Sequence, residues 1–334
     1  MRPTRLLIVG VLGSVALAAA GSARAGEALL NASYDVARDL YRDLNRAFAA
    51  EWKSKTGKTV VIDQSHGGSS KQARAVIEGL EADVVTMNNA LDIDQVAKSG
   101  LLPKNWSTRL PGASSPSWSS ILFLVRKGNP KNIRDWGDLV KPGVGVIIPN
   151  PKTSGNGRYS YLAGWEWAKR RGGGKDEAGR EYVRKLFANV PVLDTGGRGA
   201  TTTFTQRNIG DVLLTFENEI GQLRADLGDR YQVVVPSLTV RADNPVAVVD
   251  KVAIKHGTAA LAQAYLQFHY SDAGQETFAR NYLRPVNADV LKRHAPVVPP
   301  LNAFRVEDAF GSWAQTQARH FASGGIFDQV QTEN

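Results

Sequence analysis

The residues of this chain best placed to do chemistry lie in one run, Asp194-Thr195-Gly196-Gly197-Arg198-Gly199-Ala200-Thr201-Thr202-Thr203-Phe204. It reads as a glycine turn feeding a helix start. Glycines let the backbone come close to a ligand and adopt positive φ, and the threonines suit a cap. A helix start presents unpaired N–H groups and a partial positive charge, so the chemistry on offer is capture of an oxyanion. Three further segments repeat the design of strand, short Ser/Gly/Asp-bearing loop and helix, at 33–35, 67–70 and 153–157. Taken singly, each is an ordinary α/β turn. Two fall in each half of the chain, and if the halves face each other, four helix N-termini converge on one cleft. Such a site binds a small dianion with neutral donors and avoids burying a bare Lys or Arg.

Other constellations are weaker. Glu217 and Glu219 stand two apart at an expected strand end and are compatible with acid/base work; a polar rim or brace is the favoured reading. His66 reads as a loop-packing histidine rather than a ligand or base. Gly172-Gly173-Gly174-Lys175 lacks the leading glycine of a phosphate-binding loop and has Asp176 where Ser or Thr is needed. The five histidines are scattered without a zinc-binding spacing, and no G-x-S-x-G elbow occurs. No cofactor and no metal site is expected.

The elements that must position the loops alternate. A strand at 29–33 precedes a helix whose apolar residues Val36, Leu40, Leu44, Phe48 and Trp52 share one face and which Gly57 ends. The β-branched run 59–62 is the next strand, then a helix over 72–81, a strand over 84–87 and a helix over 92–98. This is a βαβ start, so the sheet is expected to be parallel with its loops at the strand C-terminal edge, where open sheets bind ligands. Beyond the Ser/Pro/Trp-rich stretch 103–119 come strands at 121–125, 144–148, 190–193, 211–216, 233–235 and 247–249, with helices following 158 and at 181–188, 259–269 and 274–279. The boundaries expected are 1–25 for a signal peptide, 26–118 for the first lobe, 119–244 for the second, and 245–334 returning to the first with C-terminal helices.

Length and charge set the frame. The 334 residues suffice for about two domains and large cores. Arg2 and Arg5, the apolar run 6–20 and Ala23-Arg24-Ala25 read as a secretory signal cut after Ala25, and that run is shorter than the ~20 residues a bilayer needs. The chain is therefore expected to be exported, and the resemblance given below implies the periplasm. It has no cysteine, which excludes disulfides, thiolate metal sites and a Cys nucleophile. The formal charge of +9 falls to about +6 without the three arginines of the signal, and it is scattered. Nucleic-acid binding would want a basic stripe with stacking aromatics, and none stands out.

Several motifs, in order, carry a resemblance: Ser-Tyr-Asp at 33–35, Asp-Gln-Ser-His-Gly-Gly-Ser at 63–69, Leu-Val-Arg-Lys-Gly-Asn-Pro-Lys at 124–131, Pro-Asn-Pro-Lys-Thr-Ser-Gly-Asn-Gly-Arg-Tyr at 149–159, the run 194–204, Gly-Asp-Val-Leu-Leu-Thr-Phe-Glu-Asn-Glu at 210–219, and Phe-Arg-Val-Glu-Asp and Phe-Gly-Ser-Trp at 304–308 and 310–313. Over nearly the whole chain after the signal, this resembles the periplasmic sulfate/thiosulfate-binding proteins of ATP-binding cassette (ABC) importers. The resemblance implies an α/β, two-lobe (type II) binding protein, each lobe a mainly parallel sheet flanked by helices, with the ligand cleft between lobes. It also implies capture of sulfate or thiosulfate by a monomer that serves an inner-membrane permease and its ATPase. Carried over by motif, the N–H donors are Asp35, Ser69, Gly155, Asn156 and Gly197, and the hydroxyl donor is Ser154. Gly68, Arg198 and Phe216 would support them. The sulfate-specific members place a tryptophan indole N–H where this chain has Phe216, so both anions are expected to bind. Arg198 has two readings: contact with the anion, or, favoured, pairing with Asp35 or Glu217 to brace its loop. Lys152 and Arg158 are expected at the rim, steering anions inward. The rival readings are a thiosulfate-preferring receptor, an oxyanion-ester hydrolase on the same cradle, and a sensor subunit feeding a signalling receptor.

Overall fold

A computed structural model describes residues 27–294 and 300–333; the expected signal peptide lies outside the described residues. The N-terminal pattern folds as its spacing dictates. Strand β1 (Glu27–Tyr34) runs through a short 3-10 turn (Asp35–Ala37) into the helix Arg38–Thr56. That helix buries Leu40, Tyr41, Leu44 and Phe48. It stops at Gly57, whose φ of 71° lets its N–H reach back to the Lys53 carbonyl.

The first sheet has the order β2-β1-β3-β9, with β2 spanning Val60–Gly67, β3 Val84–Thr86 and β9 Val246–Val248. Strands β2 and β3 run parallel to β1; β9 is antiparallel. Register sets Tyr34 beside Gly67 and Ser33 beside Thr86, so the loops leaving all three parallel strands open on one edge. Beneath the sheet, Ala32, Val85, Met87, Ile93, Val96 and Val249 form a closed apolar cluster, with Met87 fully buried.

The second sheet is built on β4 (Ser117–Arg126). The first residues of β4 pair with β8 (Thr239–Asp243) and β10 (Arg284–Pro285); its later residues are flanked by β6 (Val212–Phe216) and β7 (Tyr231–Val234). All four pairings are antiparallel. The parallel arrangement expected of both sheets holds in the first. In the second it survives only between β5 (Val146–Ile147) and β6 and between β11 (Ala303–Arg305) and β8. The long β4 imposes this, because each returning segment docks against it head to tail.

Other departures have local causes. The stretch 190–193 joins no sheet: Pro191 has no N–H to give a ladder. Residues from Glu217 form a helix, Glu217–Leu227, not a strand end. The C-terminal helices expected on the first lobe pack on the second. There β11 pairs with β8, Lys152 binds Asp328, and Arg180 donates to Gln329. The preceding return does reach the first lobe through β9, and the helix Asp272–Arg280 packs on Arg38–Thr56.

Candidate functional site

Each expected loop is the start of a helix. Gly68 precedes Ser69–Ile77, Ser154 precedes Gly155–Arg171, and Gly196 precedes Gly197–Thr205. The first-turn N–H groups of Ser69, Ser70, Gly155, Asn156 and Gly197 have no intrahelical acceptor. The usual side-chain remedy is missing from all three helices, although Ser154 is of a capping type. Ser69, Ser154 and Asn156 are buried.

The two lobes meet at these helix starts. A β-carbon on Gly68 would sit 2.6 Å from the Thr153 carbonyl oxygen and 2.8 Å from that of Thr195, so a first-lobe glycine is wedged between two second-lobe loops. A β-carbon on Gly155 would strike the side chain of Asn88, which follows β3. One on Gly197 would sit 2.9 Å from Val36 and 3.5 Å from the Asn156 amide nitrogen. The structure therefore gathers Asp35, Gly68, Ser69, Ser154, Gly155, Asn156 and Gly197 at one interface, in its closed arrangement.

Most charges around this interface have a partner or face water, although one Asp194 carboxylate oxygen and the Arg158 Nε are buried without a hydrogen bond. The Asp35 carboxylate accepts N–H from Val36 at 3.0 Å and, across the cleft, from Arg198 at 3.1 Å. Burial raises its pKa, and these bonds together with the Arg198 charge work against that rise. The brace expected of Arg198 is thus made by its main chain; its side chain is exposed, and Glu217 is held instead by Arg284 at 2.7 and 2.8 Å. Arg158 is not at the rim. It is buried, and its Nη1 lies 3.0 Å from Asp92 of the first lobe. Asp92 also accepts from Ser70 at 2.9 Å and Asn89 at 2.7 Å. Lys152 is likewise committed, to the Ala322 carbonyl and to Asp328.

Phe216, ending β6, is buried with its ring edge-on to Tyr34 (6.4 Å) and Tyr159 (6.1 Å), and it offers no donor. Glu219 is a buried brace rather than a rim residue: Thr201 donates to it at 2.6 Å and Thr215 also donates to it. Burial pushes its pKa up to about 6. His66 packs as expected, its ring against the Tyr34 carbonyl and Gln64. The sequence reading missed Asn88, Asp92 and Thr215 as parts of this neighbourhood. The Asn-Asn pair after β3 was visible, at the same strand edge as the other loops.

Among the described residues no group of His, Asp and Glu is placed to hold a metal ion. None of their helices is long and apolar enough to cross a membrane. What the geometry offers is helix starts without side-chain caps, brought together from two lobes. Residues 30–284 match the family described as bacterial extracellular solute-binding protein. The chain belongs to that family. This solute-binding protein is 54% identical over 320 residues to the thiosulfate-binding protein of Pseudomonas aeruginosa, covering 95% of this chain and 96% of the relative. It is 52% identical over 303 residues to the sulfate-binding protein of Salmonella typhimurium, covering 90% and 92%. The solved sulfate-binding protein SubI from Mycobacterium tuberculosis superposes with a TM-score of 0.79 at 32% identity, over 87% of this chain and 98% of that one.

Proposed function

We propose that this protein captures sulfate and thiosulfate between its lobes and hands them to an ABC importer of the inner membrane. The reading places the mature, monomeric chain in the periplasm after removal of residues 1–25. One observation carries it. Helix starts from both lobes close on one point, while the nearby cations are engaged elsewhere or exposed: Arg158 on Asp92, Lys152 on Asp328, Arg198 towards water.

The proposed donors are the N–H groups of Asp35, Ser69, Gly155, Asn156 and Gly197 with the hydroxyl of Ser154. Gly68 is small enough to let the lobes meet, and Arg198 offers its N–H to Asp35 rather than to the anion. Anion contacts from both lobes favour the closed form, which the importer would recognise. A donor-only site also selects. Sulfate is unprotonated at neutral pH, whereas a phosphate O–H would face an N–H with no acceptor. That mismatch costs about 1–3 kcal/mol, roughly a 5- to 150-fold loss. The role is read as binding rather than turnover because the relatives that cover this chain almost end to end are themselves binding proteins.

Calorimetry on dialysed mature protein tests this. Sulfate and thiosulfate should bind tightly and phosphate should lag by about that factor. Phosphate binding as tight as sulfate would overturn the donor-only site. Release of sulfate from a sulfate ester would show an enzyme.

A further inference from the structure

Glu219 lies one layer behind the helix starts and is linked to both second-lobe helices, to one directly and to the other through Thr215. Thr201, on the helix Gly197–Thr205, donates to one carboxylate oxygen at 2.6 Å. Thr215, on β6, donates to the other, and Thr215 in turn accepts from the side-chain amide of Asn156, on the helix Gly155–Arg171, at 2.9 Å. Glu219 is 1% exposed and Thr215 fully buried. The carboxylate therefore fixes the two helix starts relative to each other through neutral donors alone.

We propose that Glu219 is a positioning residue of the anion site, and that arrival of a dianion loads a proton from solvent onto its carboxylate. The inference rests on the anion-binding reading above. The electrostatics run one way. A dianion at the helix starts adds negative charge in front of a buried carboxylate, and like charges disfavour its ionised form. The titratable and charged groups that act on Glu219 are Asp35, Tyr34 and Arg198. Asp35 opposes ionisation of Glu219; burial raises its own pKa as well, against the pull of two N–H bonds and the Arg198 charge. Arg198 favours ionisation of Glu219 only from an exposed position. Glu219 has only hydroxyls, which can turn from donor to acceptor, so the brace survives protonation. In the closed arrangement, before any anion is added, burial already raises the Glu219 carboxylate to about 6. Uptake is therefore expected in the pH window above 6, where the free form is ionised and the bound form is not. Affinity should fall as pH rises through that window, by at most about tenfold per pH unit for one proton.

The test is sulfate titration by calorimetry at pH 6.5–7.5 in imidazole and in cacodylate, whose ionisation heats differ. The expected result is a buffer-dependent heat equal to a fraction of a proton taken up. In Glu219→Gln that dependence should vanish and affinity should become flat with pH. Thr215→Val removes one donor from the carboxylate and should move the pH profile upward. Equal heats in both buffers would overturn the proposal while leaving anion binding intact, as would uptake that persists in Glu219→Gln or an unmoved profile in Thr215→Val. No binding at any pH would instead overturn the anion reading itself.

Discussion

Gly155 shows how much depends on a missing side chain. Its helix start lies so close to Asn88 that a methyl group there would overlap the amide. The position is also the first turn of a helix, where alanine is otherwise the better former. Gly155→Ala should therefore leave folding intact or improve it, yet weaken sulfate binding by tenfold or more because the lobes cannot close. Calorimetry beside thermal unfolding separates the two effects; unchanged affinity would mean that the contact belongs to no functional state. Ser154→Ala is a milder change. It removes one hydroxyl donor to a charged ligand, worth about 1.5–3 kcal/mol, or roughly 10- to 150-fold in affinity. Wild-type affinity in that variant would displace Ser154 from the site.

At the scale of elements, the ion pair between Arg158 and Asp92 joins the helix Gly155–Arg171 to the two first-lobe helices that Ser70 and Asn89 serve. Both side chains are about 95% buried, so closure strips them of water together. Removing one partner strands the other, which costs about 3–5 kcal/mol in buried pairs. Asp92→Asn should thus weaken anion binding by a hundredfold or more, with a smaller effect on the melting temperature without ligand, where the lobes are free to part. Arg158→Met combined with Asp92→Leu should recover part of the loss. A double variant worse than Asp92→Asn would show that the pair attracts more than it costs to bury. None of this was legible in the sequence, where Arg158 reads as a rim cation. Burial of a charge is set by a partner 66 residues away, and single-chain patterns carry no such pairing. What could be read was local: helical spacing from Val36 to Trp52, the glycine that ends that helix, and the four glycine- or serine-bearing turns. The helix Glu217–Leu227 had its own signal, Ile220, Leu223 and Leu227 on one face, hidden behind the strand that runs straight into it. Strand direction in the second sheet had no local signal at all.

For the whole molecule, acid is the weak side. His269 is fully buried among Tyr41, Tyr265 and Phe278, and burial, outweighing a backbone contact with Leu266, pushes its pKa down to about 3. His320, beside Tyr161 and Trp165, is lowered to about 4, again by burial. Unfolded, both would titrate near 6.5. Their neutral forms therefore support the fold fully above that pH, and the support is lost as pH falls towards the folded values. For His269 alone the loss by pH 4 is of order 3 kcal/mol. His256 works in the opposite sense: Glu81 and Asp83 raise its pKa, so its contribution fades as pH climbs. The melting temperature should fall steeply between pH 6.5 and 4, and His269→Phe should flatten that fall; an equally steep curve would place the acid sensitivity elsewhere.

One buried side chain, Met87, bears on supply. The chain has no cysteine and two methionines, one of them the initiator. Apart from Met1, Met87 thus carries the only sulfur atom of the sequence, at zero exposure beneath β3, where oxidants have poor access to it. A cell assembling many copies in order to scavenge an inorganic nutrient would lock up one atom of that same element in each.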